Sequence, residues 1–125
     1  MKRSLLAFVT VVVTAVPVAY AHHSMAMFDN TKEVTIVGTV KSFKWISPHS
    51  FIELTVTYET GPIDWSVEMG GGGVNSLRRA GWAPETLKFG DKVTIVVHPL
   101  KNGRAGGNFR SLTFPDGKVM TLNAP

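Results

Sequence analysis

The chain of 125 residues contains no cysteine, and this absence excludes two kinds of structure. Disulfide bridges cannot form, and a metal site built from thiolates is impossible. The stability of the protein must therefore come from packing. A metal ion would have to be held by nitrogen ligands such as the four histidines, with methionine thioethers as a further source.

A dense basic stripe is also missing once the N-terminal segment is set aside. Removing Lys2 and Arg3 leaves eleven basic residues against nine acidic ones, a net charge of about +2. Arg78 and Arg79 form the only adjacent basic pair that remains, and a solvated helix face explains them. Because nucleic-acid-binding domains carry clustered basic surfaces, we expect no nucleic-acid partner.

No apolar run is long enough to span a bilayer comfortably, although the N-terminus is strongly apolar. Two basic residues precede an apolar stretch from Leu5 to Val16, and Ala19 and Ala21 occupy the small-residue positions of a signal-peptidase site. A membrane-spanning helix needs about 20 apolar residues. We interpret residues 1–21 as a cleaved signal peptide, with a retained anchor as the alternative. Export to a bacterial periplasm follows, with no membrane anchor after cleavage.

The remaining 104 residues predict one small all-β domain interrupted by a single short helix. Alternating apolar and polar residues predict strands starting near Val34 and at about 49–58, 63–69, 92–98, 108–114 and 118–122. Gly38 inside the first strand predicts a bend, and a change of parity predicts a bulge near Lys41 or Ser42. Asn75 is suited to cap the helix, and Gly70–Gly73 before it is expected to form a mobile connector.

Three strands, a helix and further strands is the order of the OB-fold. We therefore predict an OB-fold-like β-barrel of five to six strands at residues 32–125, preceded by an N-terminal arm at residues 22–31. An immunoglobulin-like sandwich is the rival fold. It would need about seven strands and no central helix.

The four histidines form the candidate metal site. Cleavage after Ala21 would start the mature protein with His22 and His23, which places a free α-amine beside two imidazoles. His49 follows the loop between the first two strands, and His98 precedes the loop between the fourth and fifth strands. These loops flank one binding face in an OB-fold. We therefore predict a metal site made by His22, His49 and His98, with His23 the weakest candidate ligand.

Copper is the metal that such ligands favour, because Cu(II) prefers tetragonal nitrogen ligands and thioethers suit Cu(I). Met25 and Met27 lie close enough in sequence to contribute, and zinc is the second choice. An ordinary explanation stands beside this one. Two histidines can simply begin a polar mature chain, and His98 before Pro99 can simply end a strand.

Other residues suggest binding rather than catalysis. Four aromatic residues could line a groove or build the core: Trp45, Phe51, Trp65 and Trp82. Glu53 and Glu68 have outward parity and are expected to face water. The chain carries neither the spacing of a catalytic triad nor the lysine of a phosphate-binding loop. A copper oxidase that uses an N-terminal histidine brace is a third, less favoured possibility.

Short motifs along the chain resemble those of a family of small exported bacterial proteins classed as a domain of unknown function. They are, in order, Ala21-His22-His23-Ser24, Met27-Phe28-Asp29, Gly38-Thr39-Val40, Trp45 with Pro48-His49, Gly90-Asp91-Lys92-Val93, His98-Pro99-Leu100 and Pro115-Asp116-Gly117. The resemblance covers about residues 22–119 and implies a periplasmic single-domain protein without assigning catalytic residues. The leading expectation is a periplasmic metal-binding protein. The alternative is a metal-free module for a small molecule, a glycan or a partner protein.

Overall fold

The computed structural model describes residues 25–123, which form six strands and one short helix. The segment interpreted as a signal peptide lies outside the described residues, as do His22 and His23. The elements in chain order are β1 Val34–Lys44, β2 Phe51–Tyr58, β3 Gly61–Glu68, α1 Gly73–Arg79, β4 Lys92–Pro99, β5 Gly106–Thr113 and β6 Val119–Met120.

The first five strands close into a barrel, and β6 adds to its edge. The strand order is β3-β2-β1-β4-β5-β6, and β3 also pairs with β5. That closing pair is parallel and joins Ser66–Glu68 to Gly106–Asn108, whereas every other strand pair is antiparallel. The prediction of an OB-fold-like barrel with one short helix is confirmed.

The first strand bends because it serves two neighbours. It pairs with β4 over residues 34–39 and with β2 over residues 39–44, so Thr39 lies opposite a partner on both sides. The register against β2 shifts between Val40 and Ser42, which confirms the predicted bulge. At Gly38 a Cβ atom would lie only 2.7 Å from Leu54 Cδ1, so a larger residue would push the strands apart there.

Alternate side chains of the strands point inward and make one core. Its largest fully buried members come from five strands and from the segments that follow β3 and α1. They are Trp82, Phe109, Ile52, Leu54, Met69, Ile95, Leu112, Val40, Val67 and Val97. Because the inward-pointing side chains of the strands are buried in the core, the side chains available for binding lie on the outward face.

The helix begins earlier than the sequence predicted. It starts at Gly73, so Asn75 lies inside it, and the expected Asn75 cap is wrong. The Oγ atom of Ser47, in the β1–β2 loop, accepts a hydrogen bond from the Val74 amide at 3.1 Å. A Cβ atom on Gly71 would lie 3.4 Å from the His49 ring. The glycine run therefore packs closely against the β1–β2 loop, because its residues carry no side chains.

Several strand ends also differ from the predicted ones. β3 starts at Gly61 and β5 at Gly106, each two residues before the predicted start. Glycine carries no side-chain pattern, but its backbone groups pair as well as any others. β2 starts at Phe51, so His49 belongs to the preceding loop. Within residues 25–123, no helix has the length and apolar character needed to cross a membrane.

Candidate functional site

One groove of about 530 Å³ lies on the outward side of β2 and β3, bordered by the N-terminal arm and the β4–β5 loop. Apolar walls come from Met27, Phe28, Phe51 and Leu100. Polar and charged groups enter it from Asp64, Ser66, Glu68 and Arg104, and its remaining lining is Ala105, Gly106 and Gly107. An apolar cleft of this size with a few polar groups is typical of small-molecule sites.

The arm forms one wall of this groove because it docks against the end of β4. Phe28 makes an isolated antiparallel bridge with Leu100, and its side chain is only 3% exposed. The Lys101 amide donates to the Met27 carbonyl at 2.9 Å, and the Asp29 amide donates to the Pro99 carbonyl at 2.8 Å. The two hydrogen bonds that make up this bridge and one buried aromatic ring therefore hold residues 27–29 beside the groove.

Two of the three acidic side chains on this face are paired with lysines. Asp64 accepts hydrogen bonds from Lys41 and from the Thr55 hydroxyl, and the contact with Lys41 is the main cause that lowers the pKa of Asp64 below its ordinary value of 3.8. Glu53 lies 3.0 Å from Lys44 Nζ and accepts a hydrogen bond from Ser66. Each of these carboxylates therefore already has a cationic partner.

The third carboxylate, Glu68, is paired with His49. Its Oε1 atom lies 2.7 Å from His49 Nδ1, and the two side chains are 14% and 27% exposed. The contact lacks the alignment of a regular hydrogen bond. A carboxylate at this distance favours a proton on Nδ1, which leaves Nε2 as the lone-pair nitrogen of the neutral ring.

The other described histidine, His98, has a main-chain partner. Its Nδ1 atom lies 2.7 Å from the carbonyl oxygen of Lys32, at the base of the arm. Because a carbonyl oxygen only accepts hydrogen bonds, Nδ1 carries the proton in this contact. The Nε2 atom is again the nitrogen with a free lone pair.

The two histidines lie on the same outward side but have separate partners. His98 is opposite Asn108 in the β4–β5 pair, and Asn108 is opposite Glu68 in the β3–β5 pair. The backbones of His98 and Glu68 are thus two strand spacings apart, about 10 Å. Within residues 25–123, no three histidine or acidic side chains are close enough together to hold a metal ion. A site shared with His22 and His23 concerns residues outside the described part.

The position of Glu68 corrects one sequence prediction. Outward parity predicted a side chain facing water, whereas Glu68 is largely covered and contacts His49. The signal that could have found this pair is the hairpin register. Tyr58 pairs with Gly61 next to the turn. Counting away from the turn along both strands places Glu68 opposite Phe51, which is two residues from His49.

Of the two roles open to the four aromatic residues, the core accounts for the three tryptophans. Trp82 is 2% exposed and belongs to the core, where its indole N–H donates to the Thr121 carbonyl at 2.8 Å. Trp45 and Trp65 pack against the core, and only Phe51 of the four borders the groove. The second aromatic wall is Phe28, which the weak periodicity of the arm did not reveal.

These features define a class of protein, a small OB-fold-like barrel whose docked N-terminal arm and β4–β5 loop border one outward groove. The chain belongs to a family of unknown function (DUF6152), and the family model matches residues 9–109. That range includes all four histidines, Glu68 and Arg104. No curated protein and no solved structure matches the chain.

Proposed function

We propose that this protein is exported to the periplasm and binds copper, or a similar divalent metal, through the α-amine and imidazole of His22 together with His49 or His98. The observation that supports this most is the state of the two described histidines. Each has its Nδ1 atom against an oxygen, from Glu68 or from the Lys32 carbonyl, which directs a metal toward Nε2. Metal-ligating histidines usually have such a partner on the other ring nitrogen.

The docked arm supports a contribution from the mature N-terminus. Met27 borders the groove that Glu68 also lines, and His22 precedes Met27 by five residues. Five residues span at most about 17 Å when extended. The proposal requires this span to bring the α-amine and imidazole of His22 to one of the described histidines, and His23 is the weakest candidate ligand.

Copper is the preferred metal for this set of ligands. An amine and two imidazoles supply the nitrogen ligands that Cu(II) favours, and Met25 and Met27 are exposed thioethers suited to Cu(I). Zinc is the second choice, since imidazole also binds zinc. The role that we propose is metal handling or delivery. A histidine-brace oxidase would in addition turn over a substrate with peroxide, which an activity assay distinguishes.

The test is calorimetric titration of copper and zinc into protein that begins at His22. A control protein with one additional N-terminal residue has the same fold and histidines but no α-amine on His22. We expect tight copper binding by the first protein and a loss of at least about 100-fold in the second, because two of the three nitrogen ligands form a chelate at His22. Equal affinities would overturn the N-terminal site.

Two single variants then identify the third ligand. His49→Gln and His98→Gln each remove one imidazole while keeping a polar side chain of moderate size. We expect the variant that removes a ligand to weaken copper binding and the other to leave it unchanged. If neither variant weakens binding, the barrel histidines are not ligands.

A second candidate function is a metal-free module that binds a small molecule, a glycan or a partner protein. The apolar groove of about 530 Å³ supports this function. Ligand binding that persists with EDTA present would distinguish it from metal handling.

A further inference from the structure

The charges around the groove leave one cation without a partner. Three acidic residues on this face each contact a cationic or ionisable group: Asp64 with Lys41, Glu53 with Lys44, and Glu68 with His49. Arg104 lines the same groove, and none of the carboxylates in residues 25–123 forms an ion pair with it. Arg104 is therefore the cation of the groove lining that remains available to a ligand.

The loop that carries Arg104 is fixed at both ends. The Leu100 amide donates to the Gly106 carbonyl at 3.1 Å, and the Ser66 amide donates to the Ala105 carbonyl at 3.3 Å. The Arg104 amide itself donates to Asn102 Oδ1 at 3.0 Å. The guanidinium group thus extends from an anchored backbone at the border of the groove.

The apolar walls of the groove suit an apolar body. Phe28, Phe51, Leu100 and Met27 provide two aromatic rings, a branched aliphatic side chain and a thioether. The volume of about 530 Å³ lies in the range of small-molecule sites. A guanidinium group is planar and presents a fork of N–H donors that matches a carboxylate.

We propose that this groove binds a small organic acid with an aromatic or aliphatic body, held by Arg104 at its carboxylate and by the apolar walls at its body. This inference rests on the metal-free binding function above and uses none of the histidines as ligands. An amine ligand is disfavoured, because Asp64 and Glu53 are already paired with lysines and the Glu68 carboxylate already contacts His49.

The test compares hydrocinnamate with its amide and with phenylpropylamine, by calorimetry in EDTA. The protein carries one additional N-terminal residue, so failure of the metal site cannot affect the result. We expect hydrocinnamate to bind most tightly. We expect Arg104→Gln to weaken its binding roughly 10- to 100-fold, the usual range for a charge-assisted hydrogen bond. Acetate should bind more weakly than hydrocinnamate, because it has a carboxylate but lacks the apolar body.

Arg110→Gln is the matched control, since Arg110 is an exposed β5 residue that contacts Glu33 and does not line the groove. It should leave hydrocinnamate binding unchanged. Equal losses in both arginine variants, tighter binding of the amine, or no saturable binding of hydrocinnamate up to about 10 mM would each overturn the inference.

Discussion

Two outward faces of the same barrel differ in what covers them. On the groove face, Glu68 is 14% exposed and Phe28 only 3%, and the acidic side chains all have partners. On the opposite side, a row of outward residues crosses four strands: Val37 on β1, Thr94 on β4, Thr113 on β5 and Val119 on β6. In this row, which we call the open face, Val37 is 64% exposed and Val119 58%.

The difference shows that outward parity does not determine exposure. Residues of both faces alternate with core residues in the same way, so the alternation along a strand does not distinguish the two faces. The groove face is covered because the arm and the β4–β5 loop dock over it, through the Phe28–Leu100 bridge. The open face of the described structure has no such cover. Partly covered polar groups are more suited to binding, because low local polarity strengthens each contact.

The largest expected effect comes from removing the side chain that docks the arm. Phe28→Ala should lower the free energy of unfolding by about 3 kcal/mol, because it deletes a buried aromatic ring. On the open face, Val37→Ala should change it by less than about 0.5 kcal/mol. Urea denaturation followed by tryptophan fluorescence measures both. Similar losses in the two variants would contradict the contrast between the faces.

The next effect concerns the support that Glu68 gives to His49. Glu68→Gln should weaken copper binding by the mature protein about 10- to 100-fold, as expected when the partner of a metal-ligating histidine is lost. Glu33→Gln is the control, since Glu33 is an exposed carboxylate paired with Arg110 at 3.7 Å. Calorimetric titration of copper into both variants measures the two affinities. Unchanged affinity in the Glu68 variant would show that His49 needs no carboxylate partner to bind copper.

The smallest effect is the acid dependence of the Asp64 pair. Hydrogen bonds from Lys41 and Thr55 lower the pKa of Asp64 in the folded protein, so this pair stabilises the fold above the unfolded value of 3.8. That contribution disappears as the pH falls below 3.8 through the lowered pKa. Asp64→Asn should therefore be less stable than the wild type at neutral pH and equally stable in strong acid.

Thermal denaturation over a pH series measures this difference. Lys41→Gln removes the partner cation, so it should reproduce most of the loss and the same convergence in acid. A difference between the wild type and Asp64→Asn that persists well below pH 3.8 would assign the effect to packing rather than to charge.

Much of the barrel was predictable from local patterns. Alternation identified the strands, and the change of parity after Val40 located the bulge that the register confirms. Local patterns failed to predict the start of the helix, which depends on a backbone contact with a distant residue. The helix starts at Gly73, where the Val74 amide donates a hydrogen bond to the hydroxyl oxygen of Ser47, a residue far away in the sequence.

The site was predictable only in outline. The β4–β5 loop, which borders the groove, was one of the two loops considered, and Phe51 was among the aromatic candidates. Phe28 was not among the aromatic candidates for a groove, since a short arm shows no period until it docks. Glu68 was misjudged because parity describes a residue relative to its own sheet. Parity carries no information about a loop folded over the residue.

The sequence by itself determined which residues turn toward the core, because side-chain alternation is a property of each strand alone. It also determined the chemistry on offer, with no thiolates, four histidines and few acids. Only the tertiary structure decided that Glu68 contacts His49, that Lys32 holds His98, and that Arg104 borders a groove walled by Phe28. These contacts join residues far apart in the chain, and they form only when the barrel closes and the arm docks on it.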